Sequence, residues 1–170
     1  TSIKTHCSTN GYGPHEYYEV VDIAARNHAD NDVIGALSVY IPAQAILTYA
    51  SISLVEVASN DIGSCSLFAN TAAVAYDGAA SGSSGVELVG ADTASDKSLP
   101  DSDLDISSNA TVGISVTSGT LIADSIPVQR TTSATYLHLV AKEDMATTDV
   151  TGTPKVGVYV KWVGPAAVAI

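Results

Sequence analysis

At 170 residues the chain is long enough for one domain, which would bury about 70% of the surface its unfolded form exposes. Charged residues make up 15% of it against a usual share of about 25%, so Ser, Thr and Asn must supply much of the polar surface. The formal net charge is −11, and the seven Lys and Arg are scattered, which leaves no basic patch for phosphates and argues against nucleic acid and anionic lipid as partners.

Residues 1–16 read as an extended N-terminal arm: Gly11, Gly13 and Pro14 interrupt a polar run with no apolar periodicity. That run lacks the basic, apolar and small-residue succession of a leader, so no leader is expected. "EYYEVVDIA" follows as a strand, with Tyr17, Glu19, Val21 and Ile23 on one parity and Tyr18, Val20 and Asp22 on the other. A helix over "EVVDIAARNHA" is the competing assignment.

Val33–Val55 carries no charge and is long enough to cross a bilayer as a helix. Its alternation argues otherwise. Leu37, Val39 and Ile41 share one parity, as do Ala50, Ile52 and Leu54 beyond Pro42, while Ser38, Ser51 and Ser53 take the other. Proline cannot donate to a ladder, so "IPAQA" is the corner between two strands, and no membrane span is expected. The second strand runs to about Val57, and Leu54–Val55 break parity in the manner of a bulge.

Further strands are expected in "CSLFANTAAVAY", "VELVG", "VGISVTS", "TYLHLVAKE" and "KVGVYVKWVG", with an edge piece in "IPVQR", a Gly/Ser loop in "DGAASGSSG" and an acidic loop over 91–111. About eight short strands with regular turn signals and no amphipathic helix predict an all-β chain: one antiparallel β-sandwich over 17–164, flanked by the arm and an apolar C-terminal tail at 165–170.

Chemistry-bearing patterns are weak. "SGSSG" has the wrong spacing for a nucleophile elbow and no helix to follow it. His6, Cys7, His15 and His28 could be assembled into a metal site only with irregular spacing, so they read as solvated arm residues. His138 alternates with Leu137 and Leu139 and is expected to face solvent or a partner. Asp101, Asp103 and Asp105 match the opening of a calcium loop, but Ile106 stands where glycine is needed and Val112 where a bidentate Glu is needed. Asn109 begins a glycosylation sequon in form only, and Cys7 and Cys65 are expected as thiols. The expectation is therefore no enzyme, no cofactor and no metal.

The strand "IPAQAIL" at 41–47, the Gly/Ser-rich middle and the terminal "KVGVYVKWVG" at 155–164 resemble the head decoration, or cement, proteins of tailed phages. The resemblance implies a jelly-roll sandwich made in the host cytoplasm and assembled on the outer capsid surface of the virion. Its implied partners are the major capsid protein and copies of itself, with trimers favoured. The alternative is a fibre-tip or receptor-binding sandwich that holds a glycan, for which Tyr76–Asp77 is the one aromatic–acidic loop pair. Partner contacts are expected from the two chain ends: Tyr12, His15, Tyr17 and Tyr18 in and beside the arm, and Trp162, Val168 and Ile170 at the C-terminus.

Overall fold

The computed structural model describes residues 4–6, 12–24, 26–56, 64–78, 85–89, 104–105, 130–145 and 153–170. These form β1 (Lys4–His6), β2 (Tyr12–Asp22), β3 (Val33–Ile41), β4 (Ile46–Glu56), β5 (Ser64–Asn70), β6 (Val86–Val89), β7 (Leu104–Asp105), β8 (Thr135–Ala141), β9 (Lys155–Pro165) and β10 (Val168–Ala169). No helix occurs among the described residues, so the helix considered for "EVVDIAARNHA" is replaced by the end of β2 and the turn after it.

Two antiparallel sheets pack face to face. The first has the order β1-β2-β9-β4, and the second β10-β3-β8-β5-β6 with β7 also on β5. β2 and β9 pair over their full length, from Tyr12↔Pro165 to Asp22↔Lys155, which brings an early and a late strand of the sequence together.

The core is built by parity. Tyr17, Val21, Ala50, Ile52, Val156, Val158, Val160 and Trp162 point inward from the first sheet, against Leu37, Ile41, Cys65, Leu67, Leu88, Leu137 and Leu139 from the second. Along β3 and β4, Leu37, Ile41 and Ile52 are buried and Val39 and Leu54 pack against the same core. Ser38 is exposed and Ser51 and Ser53 are half-buried, as the alternation requires. The chain turns at 42–45, where Gln44 has φ 74°. Gly164 sits against this corner at φ 153°, and a Cβ there would lie 2.7 Å from the Ala45 Cα. β4 is bulged near its end, between Leu54 and Glu56.

Two expectations change. Residues 12–16 are not arm: every one of them pairs with β9, because the strand pattern "EYYEVVDIA" extends backwards through Pro14, a position the ladder accommodates. The apolar C-terminal tail docks on its own sandwich, since β10 adds to β3 through Val168↔Tyr40 and Ala169↔Val39, and Ala167 packs against the core. His138 does not face solvent. The outer side of β8 is covered by residues 71–78, and Val33, Phe68 and Val140 form a second small core there with Val74. His138 lies in that layer, where the Val74 N–H donates to its Nε2 at 3.1 Å and the Asn70 amide is 3.1 Å from Nδ1.

The strand expected at "VGISVTS", the calcium-like run apart from Leu104–Asp105, the Asn109 sequon, "SGSSG" apart from Gly85, Cys7 and most of "IPVQR" lie outside the described residues.

Candidate interaction surfaces

The residues expected to meet partners separate into two sets. His15, Tyr17 and Trp162 are interior. The His15 ring stacks on Trp162 at 5.2 Å, its Nε2–H donates to the Gly164 carbonyl at 3.0 Å, and the Trp162 Nε1–H donates to the Pro165 carbonyl at 2.7 Å. Tyr17 donates to Glu19 Oε2 at 2.8 Å, and the same oxygen accepts the Ser38 N–H and Oγ–H, each at 3.0 Å. Glu19 thus ties β2 to β3 through a buried carboxylate whose bonds all come from neutral donors. Burial pushes the Tyr17 hydroxyl up to about 12. Aromatic residues near a chain end read as partner contacts in the sequence, but inward parity puts these three in their own core.

Tyr12, Val168 and Ile170 are exposed, at 44%, 41% and 69%. They lie at one end of the sandwich, because Tyr12 is opposite Pro165 in the ladder and Val168 follows three residues later. Val163, also exposed, is opposite both Pro14 and Ile46 at this end. The Arg130 guanidinium lies over the Tyr12 ring at 5.3 Å and donates to the Gln44 carbonyl at 3.0 Å. Exposed apolar side chains concentrated in one place mark contact sites more than the same residues scattered singly.

Tyr18 belongs to the outer face of the first sheet, which by parity runs on to Tyr12 and Val163 at the exposed end. Outward parity there collects Tyr18 from β2, Tyr159 and Lys161 from β9, and Tyr49, Ser51 and Ser53 from β4. Tyr159 donates to Glu16 Oε2 at 2.5 Å and meets Tyr49 edge-on at 5.7 Å. Lys161 Nζ is 5.6 Å from each of those two rings. Desolvation, followed by Glu16, pushes the Tyr159 hydroxyl up to about 12. Tyr18 lies flat across Gly157: a Cβ on that glycine would be 2.6 Å from the Tyr18 hydroxyl and 3.1 Å from Ser53 Oγ. Tyr49, Tyr159 and Lys161 carried no motif in the sequence. Their signal was the polar parity of their strands, and only the β2-β9-β4 register joins them.

The Tyr76–Asp77 pair is engaged within the chain. Arg26 forms an ion pair with Asp77 and covers the Tyr76 ring at 4.7 Å. His28, expected in solvent, is buried; its Nδ1 is 3.2 Å from Asp77 and its Nε2 is 3.0 Å from the Ala24 carbonyl. A His–Asp pair suggests general-base chemistry, but here both ring nitrogens serve the fold, stapling the 71–78 cover to the turn after β2. Beside it, Asn27, His28, Ala29, Asp32, Asp144 and Met145 line an open cleft of about 520 Å³. Asp32 and Asp144 spend bonds on the backbone N–H groups of Ala29 and Asp30. Among the described residues no group of three His, Cys, Asp or Glu could hold a metal ion, and no helix is long and apolar enough to cross a membrane. No family model, no curated protein and no solved structure matches the chain.

Proposed function

We propose that this protein is a non-enzymatic virion structural protein, a decoration or cement subunit that binds the outside of a capsid and stabilises it. The observation that carries the reading is the exposed apolar end, where Tyr12, Val163, Val168 and Ile170 collect as the start of β2 meets the last residues of the chain. A rigid sandwich that presents one such end to a larger surface can attach without rearrangement of its core. The low charge and the resemblance of "IPAQAIL" and "KVGVYVKWVG" to phage head decoration proteins support the same reading.

The test is co-sedimentation with capsids assembled without the protein. Val168→Asp with Ile170→Asp, and separately deletion of residues 1–11, are expected to keep the β-type circular dichroism and lose capsid binding. Deleting as far as residue 18 would be uninformative, since it removes most of β2. Unchanged occupancy by both variants would overturn the attachment surface, and failure of the intact chain to bind would overturn the function. The glycan-binding alternative is weaker at Tyr76–Asp77, because Arg26 already occupies both groups.

A further inference from the structure

We infer that the outer face of the first sheet is a self-complementary surface that takes a second copy of this chain, packed face to face about a twofold axis. Two molecules of net charge −11 repel, so contact needs a region where the charge is locally balanced. β2 and β9 provide one. Directly opposite each other across their ladder stand Glu16 and Lys161, Tyr18 and Tyr159, and Asp22 and Lys155. Carboxylates line β2 and ammonium groups line β9, with tyrosines between them.

The order β1-β2-β9-β4 puts the centre of the sheet between β2 and β9. A twofold axis along that line, parallel to the strands, lays β2 of one copy over β9 of the other. Glu16 then meets Lys161 of the second copy, Asp22 meets Lys155, and Tyr18 meets Tyr159. An isologous contact demands this self-complementarity, and aligned sheet-on-sheet packing has the required geometry.

Size and rigidity agree. Three strands of eleven residues, about 4.8 Å apart and rising about 3.3 Å per residue, give about 14 by 36 Å, and the three-residue β1 adds about 50 Å², for about 570 Å² per copy. That is the size of the smaller specific interfaces, which bury about 600 Å² per partner. The side chains are already held: Tyr18 lies on Gly157, Tyr159 is bonded to Glu16, and Lys161 stands beside two rings. Little rotamer freedom remains to be lost on association.

Tyr12 and Val163 share this outer face by parity, whereas Val168 on β10 and Ile170 after it belong to the other sheet, so Val168→Asp with Ile170→Asp tests capsid attachment apart from this contact. In light scattering coupled to size exclusion at micromolar concentration, the intact chain is expected at twice its 17.3 kDa mass. K161E places a carboxylate opposite Glu16 of the second copy and is expected to weaken dimerisation about tenfold or more; since it also faces Glu16 across the ladder of its own chain, a small fall in melting temperature is expected with the β-type circular dichroism kept. The double variant E16K/K161E reverses both partners and is expected to restore the dimer. Gly157→Ala, whose Cβ displaces Tyr18, is expected to weaken it as well. A monomer for the intact chain, a trimer, or a dimer indifferent to K161E would overturn the inference.

Discussion

The two sheets of this protein use the same residue alphabet in different ways. The first buries one face and leaves the other open, so β2 and β9 alternate cleanly: Tyr17, Val21, Val158 and Val160 inside, Tyr18, Val20, Tyr159 and Lys161 outside. The second is covered on both faces at its centre. In β8, Leu137, His138, Leu139, Val140 and Ala141 are all buried, because residues 71–78 fold over the outer side. A sequence period of two records only which face is dry, so it stops being informative when both are. An outward position on the first sheet is a surface; on the second it is a second core.

Substitutions that ignore this difference should show it. Trp162→Ala is expected to be the most damaging, at about 3–5 kcal/mol by urea denaturation, since it leaves a cavity, removes the stack on His15 and empties the Pro165 carbonyl of its donor. Phe68→Ala, an outward residue of the second sheet, should cost about 3 kcal/mol, because Val33, Val140 and Val74 pack on it. Val20→Ala, outward on the first sheet, should cost no more than about 0.5 kcal/mol. Similar losses for Phe68 and Val20 would dissolve the distinction between a covered and an open outer face.

Protons probe the same contrast. Burial holds the His138 ring below its usual range, so the folded protein takes up that proton less readily than the unfolded chain, whose histidine titrates near about 6.5. The associated stability is intact above that pH and falls as the pH drops below it. The melting temperature of the intact chain should therefore decline on acidification, and His138→Gln should flatten that limb. At the alkaline end the sign reverses. Tyr17 in the core and Tyr159 on the open face are both pushed up to about 12, so stability is constant below the unfolded value near about 10 and falls between the two. Tyr17→Phe should reduce that alkaline loss more than Tyr159→Phe, since a half-exposed hydroxyl is better screened. The smallest effect is expected at the exposed Lys155–Glu56 pair, where Glu56→Gln should leave the melting temperature unchanged within error.

Much of the fold was legible in the residues. The alternation from Leu37 to Leu54, the proline corner and the bulge before Glu56 follow from sterics and side-chain parity, which act over a few neighbouring residues. Those local rules are sufficient to exclude a membrane helix at Val33–Val55 and to predict two strands of an all-β sandwich. What they could not supply is the partner of each strand. The reach of β2 back to Tyr12, the docking of Val168–Ala169 on β3, and the cover over His138 all depend on residues more than 60 positions away. The chain-end aromatics show the consequence most clearly: Tyr12, His15, Tyr17 and Trp162 look alike as candidates for contact, yet one is at the surface and three are interior. Composition set the chemical character of the surface, neutral and rich in tyrosine and serine. Only the register of β2 on β9 and of β9 on β4 placed Glu16, Tyr18, Tyr49, Tyr159 and Lys161 on one face, because cross-strand proximity is a property of the sheet and of no single strand.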